Sequence, residues 1–381
     1  MVMFTLRIVK KSLNFVHFLF LFFIILFFSI FTKRKIRFIN NVYSEIGQIT
    51  WIDVLLRKNK DIKNNYLLIS LNYGSHVANE FLQDLVYQKF KANNIIYIKN
   101  NILCNLLKPI CRFKNQFISE NYVTPLFKDY QGLKKIDWIG NRSIEYQNEI
   151  RSFFNLKDDD WFVLFFARDS YYDEQHRHKL VEEFQIRNAD INTFDLSMKF
   201  IVEKGGHAIR IGRFQNKKLI CANSNNIHDY AFNEHKNAKM DILLNLYCKF
   251  IIGTGSGIID VGSLSDIPVG IVNNSAYIYE QGWKVGSFIP KLYYKQDNSV
   301  LDYNEYLEKI GRSESLRLHN KKLKKLKLSV MNNTAEDILA LTIDFYNKYI
   351  LNKHVEGLSN AAHFDENGLK INSKFFKKYN L

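Results

Sequence analysis

The stretch KFIIGTGSGIIDVGSLSDIPVGIVN, Lys249–Asn273, holds the residues best suited to chemistry. Lys249–Ile252 reads as a buried strand that ends in Gly253-Thr254-Gly255-Ser256-Gly257, and a short helix over Gly257–Leu264 follows at once. Glycine lets a backbone come close to a ligand, and the hydroxyls of Thr254 and Ser256 add donors. Unpaired N–H groups and the positive end of a helix dipole then face whatever sits there. A diphosphate suits that geometry. The spacing is neither a Walker loop nor a Gly-x-Gly-x-x-Gly fingerprint, and a tight, closely packed turn would use the same residues.

Arg168-Asp169-Ser170 directly follow the apolar run Trp161–Ala167. In open parallel sheets, ligands bind outside the carboxyl ends of the strands. Arg168 there could grip a phosphate with its planar fork, and Asp169 could orient that Arg or act on an acceptor hydroxyl. The bland alternative is an Arg–Asp pair that ties a loop. Arg187-Asn188-Ala189-Asp190 set an Arg, an amide and a helix cap side by side. Asp190 reads first as an N-cap, whereas Arg187 and Asn188 are candidates to touch substrate. Arg210 ends a further strand, His207–Ile211, as a ligand contact or a surface ion pair. In the first half, Ser44-Glu45-Ile46-Gly47-Gln48 lie between a strand and its helix. Gly47 permits a tight turn facing a cleft between domains, and Glu45 is either a general base for an acceptor hydroxyl or an exposed loop carboxylate. No Ser-His-Asp arrangement, carboxylate pair or metal motif of the Asp-x-Asp kind stands out, which argues against a metal site. His176 and His178 fall in a polar stretch with no ligand spacing, and the four cysteines form no Cys-x-x-Cys pair.

These residues need elements to hold them. From Arg37 to Ile98, strands at Arg37–Val42, Tyr66–Leu71 and Asn94–Ile98 alternate with helices at Gly47–Leu56 and Val77–Phe90. That alternation implies a parallel sheet with crossover helices. Further on, Trp161–Ala167 is a strand covered on both faces. Asp190 caps a helix with Ile191, Phe194, Met198, Ile201 and Val202 on one face, stopped at Gly205-Gly206. A helix at Met240–Tyr247 and a strand at Ile267–Val272 flank the Gly-rich turn. Thr334 and Asp337 open a last long helix, Ala335–Tyr349, and the polar tail beyond it reads as loosely held.

The chain has 381 residues and 47% apolar content, enough for two domains with real cores. Its net charge of +15 suits anionic partners such as phospholipid headgroups or nucleotide diphosphates. No nucleic-acid module is visible. Leu13–Phe31 is a run of 19 residues with no charge and eight phenylalanines. As a helix it reaches roughly 28 Å, about the hydrocarbon thickness of a bilayer. No small-residue cleavage site follows it, so an uncleaved, single-pass anchor is expected. Lys33, Arg34, Lys35 and Arg37 after the run, against Arg7, Lys10 and Lys11 before it, lean towards a cytoplasmic body.

Five stretches together resemble a little-characterised family of bacterial glycosyltransferases: SEIGQI (44–49), FARDSYYDEQ (166–175), FQIRNADINTFDLSMKFIVEKGGHAIRIG (184–212), FIIGTGSGI (250–258) and SFIPKLYY (287–294). The pairing of Arg168-Asp169 with Gly-Thr-x-Ser-Gly is also similar in layout to fucosyltransferase-like enzymes of GT-B type. Gln48 and Phe166 depart from the family, which carries His at both places. The resemblance implies an α/β, GT-B-like fold of two Rossmann-like domains with parallel sheets. It implies a nucleotide-diphosphate sugar as donor substrate, with no other cofactor, and a glycan or lipid-linked acceptor. The expected organisation is an anchor over 1–35, an acceptor domain over 36–150, a nucleotide-sugar domain over 151–350 and a polar tail over 351–381. In this reading Arg168 and Gly253–Gly257 hold the diphosphate, and Arg187–Asp190 with Arg210 and the loop near Asn273 hold base and ribose. Glu45, Gly47 and Gln48 meet the acceptor. Two rivals keep the fold: transfer of a non-sugar group to polysaccharide, and a non-catalytic scaffold of polysaccharide assembly.

Overall fold

The computed structural model describes residue 23 and residues 35–41, 45–72, 77–98, 127–130, 132–176, 184–213, 215–222, 226–278, 285–311, 316–359 and 370–381. The chain divides into two compact units, Met1–Thr124 and Pro125–Leu381.

In the first unit, strand β1 (Lys35–Asn41) lies parallel to β2 (Tyr66–Asn72), and β2 lies parallel to β3 (Ile96–Ile98). Helix α1 (Ile49–Asn65) joins the first pair and α2 (Glu80–Ala92) the second. This is the expected strand–helix alternation. Helix α1 outruns its expected end because no glycine or proline interrupts Ile49–Asn65. Helix α2 begins later than expected, where the Asn79 side-chain oxygen accepts from the Leu82 N–H at 2.9 Å. Its buried face is Leu82, Leu85, Val86 and Phe90. Apart from Phe23 and Lys35, the expected anchor lies outside the described residues. Among the described residues no helix is long and apolar enough to cross a membrane.

The second unit is built on seven strands: β4 (Phe162–Phe166), β5 (His207–Arg210), β6 (Ile227–Asp229), β7 (Ile251–Gly253), β8 (Val269–Asn274), β9 (Gly286–Pro290) and, after a separate antiparallel pair β10 (Leu292–Tyr294) and β11 (Ser329–Met331), β12 (Lys370–Ile371). Their order is β12-β9-β8-β7-β4-β5-β6, with every neighbouring pair parallel. Successive strand residues face opposite sides, and Ile251 and Ile252 show what covers each. On one side, a Cβ at Gly262 would come within 2.9 Å of Ile251. Gly262 belongs to the turn beneath helix α5 (Ala238–Tyr247), against which α3 (Ser143–Phe154) packs. On the other, a Cβ at Gly270 would meet Ile252 at 2.6 Å and Leu341 at 3.2 Å. Leu341 lies on helix α6 (Ala335–Tyr349), which packs on α4 (Asp195–Glu203). With both faces covered, the strands are continuous apolar runs.

Local signals placed several ends as expected. Asp190 accepts from the Asn192 N–H at 3.1 Å, capping the 3-10 turn Ile191–Phe194 that leads into α4. Gly205, at φ +83°, ends α4 in the left-handed region. Thr334 and Asp337 cap α6 reciprocally. Two expectations are corrected. Helix α3 belongs with the second unit, because the Tyr247 hydroxyl donates to the Ser143 carbonyl at 3.3 Å, so the boundary falls at Thr124 rather than near 150. The residues from 370 on are not a loose tail. Strand β12 extends the sheet, and helix α7 (Ser373–Tyr379) follows, with Ile371, Phe375 and Leu381 buried and the Asn372 amide donating to Asp344 at 2.8 Å.

Candidate functional site

The chain runs from β4 outward to β5 and β6, returns to β7 on the other side of β4, and continues outward to β8 and β9. The reversal between β4 and β7 is a topological switch point, where diverging loops open a crevice outside the carboxyl ends of the strands. Those loops are Arg168–Ser170 and Thr254–Gly257.

Phe166 pairs with Gly253 across the two strands. A Cβ on Gly253 would stand 2.8 Å from the Phe166 carbonyl oxygen, so only glycine permits this approach. The Thr254 N–H donates to that same oxygen at 3.0 Å, and the Arg168 N–H donates to the Thr254 hydroxyl at 2.8 Å. Thr254, 1% exposed, therefore clasps the two loops together. Past it, the N–H groups of Gly255 and Ser256 make no hydrogen bond within the protein among the described residues. Those of Gly257 and Ile258 open the helix Gly257–Asp260 and have no intrahelical acceptor. The Ser256 hydroxyl forms no cap bond. The expected helix Gly257–Leu264 is only one α-turn, continued by a 3-10 turn over Val261–Ser265. Its dipole is correspondingly small, and four successive N–H groups are left without a protein acceptor among the described residues, the pattern that binds anions in other proteins.

Arg168 stands beside this turn. Its Nη2 pairs with Asp173 at 2.6 Å, its guanidinium lies 5.7 Å from the Phe184 ring, and its Nε is buried without a partner among the described residues. The expected partner, Asp169, instead accepts from the N–H groups of Tyr171 at 3.1 Å and Asn216 at 2.7 Å. Asp169 holds a loop, and Asp173 orients Arg168. The Arg187 Nη2 donates to the Gly255 carbonyl at 2.8 Å. The Ala189 N–H donates to the Arg168 carbonyl at 2.9 Å, so Arg187–Asp190 is strapped against the same loop. The Asn188 Oδ1 is buried with no partner among the described residues. Asp190 pairs with Lys217 at 2.6 Å in addition to its cap. Arg168, Arg187, Asn188 and Gly253–Gly257 thus come together.

Arg210 does not join them. It is 1% exposed, and its Nη1 donates to Asp229 at 3.2 Å and to the Lys217 carbonyl at 2.5 Å, while Nη2 donates to Gln215 at 3.1 Å. A surface contact to ligand is replaced by an internal tie between β5, β6 and their loops. Glu45, Gly47 and Gln48 lie in the first unit at the amino end of α1. Glu45 is exposed, its carbonyl accepts from the Gln48 N–H at 3.3 Å, and the Gly47 carbonyl accepts from the Thr50 hydroxyl at 2.9 Å. The Gln48 Oε1 is buried without a partner.

Two site residues were not foreseen. Asp260 ends the single helical turn, and burial, against the pull of Arg187, pushes its carboxyl up to about 7. It stands inside the quoted Gly-rich stretch, one turn past Gly257, where a carboxylate near an anion site invites attention. Lys291 follows Pro290 at the end of β9, and burial pulls its ammonium down to about 8. The rule about carboxyl ends of strands, applied to SFIPKLYY, would have found it. Asp158-Asp159-Asp160 matches Asp-x-Asp literally but precedes β4, at the opposite edge of the sheet. There Asp160 accepts from the Lys157 N–H at 2.7 Å and faces His207 at 3.3 Å.

No protein-family model matches the chain, and no curated protein does. Among solved structures, the ADP-heptose lps heptosyltransferase II of E. coli is 12% identical, covering 77% of this chain and 98% of its own at a TM-score of 0.41. The iron-containing dodecameric glycosyltransferase TibC of enterotoxigenic E. coli H10407 is 9% identical, covering 84% of this chain and 81% of its own at 0.43. A UDP-GlcNAc 2-epimerase of Methanocaldococcus jannaschii is 9% identical, covering 81% and 98% at 0.30. Likeness at these scores carries no argument about the site or its reaction.

Proposed function

We propose that the protein is a GT-B-like glycosyltransferase that moves a sugar from a nucleotide-diphosphate donor to a glycan or lipid-linked acceptor. The observation that carries this reading is the presence, at one switch point, of four N–H groups without a protein acceptor among the described residues, together with Arg168 and Arg187. As the glycosidic bond to the donor breaks, negative charge grows on the departing diphosphate. Fixed N–H dipoles and guanidinium groups stabilise that charge without a metal ion. Oriented donors of this kind are worth about 3–4 kcal/mol each in other acyl- and group-transfer sites. The name of the reaction rests on the resemblance of the motifs, and the diphosphate rests on the turn. Glu45, Gly47 and Gln48 are assigned to the acceptor, with Glu45 as its base, and the segment Leu13–Phe31 to a membrane anchor.

The test uses the full chain. Thermal stabilisation is measured with UDP, GDP, CDP and ADP, and transfer with the corresponding labelled nucleotide sugars. Stabilisation by one nucleotide together with transfer of its sugar is expected. Absence of stabilisation by all four would leave the scaffold reading, and binding without turnover would leave transfer of another group. Arg168→Ala alone would strand the buried Asp173, so the informative variant is R168M/D173L, which removes the pair together. It should keep its melting temperature and lose the nucleotide response.

A further inference from the structure

Lys291 is 3% exposed at the carboxyl end of β9. Its Nζ donates to the Asn188 carbonyl at 2.8 Å and to the Asn332 side-chain oxygen at 2.5 Å, both neutral acceptors. An ammonium has three N–H donors, so one has no acceptor among the described residues, and no carboxylate there pairs with it. Buried charges are ordinarily paired, because desolvation otherwise drives them towards neutrality. Among the described residues, five more buried polar atoms on the same edge have no partner: Arg168 Nε, Asp173 Oδ1, Asn188 Oδ1, Arg210 Nε and Asn273 Nδ2. Native proteins leave few such atoms, and a cluster of them asks for a ligand.

The surroundings are rigid. Asn273 and Asn333 exchange backbone-to-side-chain hydrogen bonds at 2.6 and 2.7 Å, and the Asn333 amide donates to the Pro290 carbonyl at 2.7 Å. The Lys291 N–H donates to the Asn274 carbonyl at 2.8 Å. Through Asn188, Lys291 adjoins Arg187, whose guanidinium rests on the Gly255 carbonyl. The charges near the turn are then unequal. Arg168 is balanced by Asp173, and Arg187 faces Asp260, while Lys291 has only neutral oxygens.

We propose that Lys291 is the ammonium partner of the diphosphate bound at the Gly253–Gly257 turn, supplying the uncompensated cation that Arg168, balanced by Asp173, does not. This rests on reading that turn as a diphosphate site. The ligand's charge replaces the missing carboxylate, and its oxygens accept the third Lys291 N–H and the Arg168 Nε–H. The partnerless Asn188 Oδ1 takes a hydroxyl or N–H of the same ligand.

Isothermal titration of the full chain with UDP, GDP, CDP, ADP and inorganic pyrophosphate tests this, using wild type, Lys291→Met and Lys291→Arg. Lys291→Met should weaken the bound diphosphate roughly 10- to 100-fold, the usual scale of a charge-assisted hydrogen bond. Between pH 8 and 10, wild-type binding should weaken and take up a proton, because the free ammonium titrates near 8. Asp260 titrates near 7 and is common to all three proteins, so the wild-type-minus-variant difference isolates Lys291. Should Lys291→Met fail to fold, Lys291→Arg decides with ADP and CDP, which do not themselves titrate from pH 8 to 10: it should bind with a flat profile there, and a retained slope would overturn the proposal. Equal affinity in wild type and Lys291→Met would overturn it while leaving nucleotide binding intact. Lys291-dependent binding of pyrophosphate with no nucleoside diphosphate bound would uphold it and sink the sugar-nucleotide reading. Binding of neither by wild type overturns both.

Discussion

Arg210 and Lys291 are two buried cations at the carboxyl edge of one parallel sheet, on opposite sides of the switch point. Arg210, 1% exposed, meets the Asp229 carboxylate, the Gln215 side chain and a carbonyl, under the ring of Phe232 at 5.4 Å. Lys291, 3% exposed, meets two neutral oxygens. Burial and place at a strand end are nearly the same, yet among the described residues a carboxylate meets the first charge and none meets the second. A cation at a strand end is therefore a poor guide to ligand binding until its counter-charge is known.

The largest expected effect tests the answered side. Arg210→Met leaves Asp229 facing a buried apolar group and should cost about 3–5 kcal/mol, read as a lower urea midpoint. An unchanged midpoint would remove the contrast. Next, Gly253→Ala forces β4 and β7 apart at the Phe166 carbonyl. A loss of about 1–3 kcal/mol should accompany loss of nucleotide-dependent stabilisation, and a variant that still binds would show that the close approach is only packing.

Asp260 offers a pH test of the edge between the two. Its folded-state carboxyl titrates near 7 against an ordinary 3.8. Between those values the folded chain holds a proton that the unfolded chain has released, so this group's contribution makes stability fall as pH rises from about 4 to about 7 and levels off above. Asp260→Asn should abolish that slope, a difference of about 2 kcal/mol between pH 4 and 7.5 after allowing for its partial exposure. Parallel wild-type and variant curves would refute the assigned burial. The smallest effect belongs to Lys291→Met. With no carboxylate left stranded, the melting temperature should stay within what about 1 kcal/mol produces, in either direction. A collapse like that of Arg210→Met would mean that Lys291 is structural after all.

Much of this framework was legible because its signals are local. Periodicity disclosed the strand–helix alternation on both sides of the unit boundary, and caps such as Thr334 with Asp337 marked helix ends within a few residues. Gly253–Gly257 and Arg168 were found because both follow apolar runs, as loops at the carboxyl ends of parallel strands must. In sequence Asp169 reads as the partner of Arg168 and Asp173 does not, since neighbours are easy to pair and a partner across a helical turn is not. The tail after 350 reads as loose in sequence because polar residues dominate it. Its place at the sheet edge depends on the burial of Ile371, Phe375 and Leu381 and on the bond from Asn372 to Asp344, which composition does not report.

The sequence by itself determined the element types, the glycine-rich turn and the positive charge, because these follow from propensity, periodicity and composition. Only the tertiary structure decided which cations remain uncompensated. Whether Arg210 meets Asp229, or Lys291 meets only neutral oxygens among the described residues, depends on strand order and loop closure across tens of residues. Coulombic interaction inside a protein falls with distance in space, and distance along the chain does not report it.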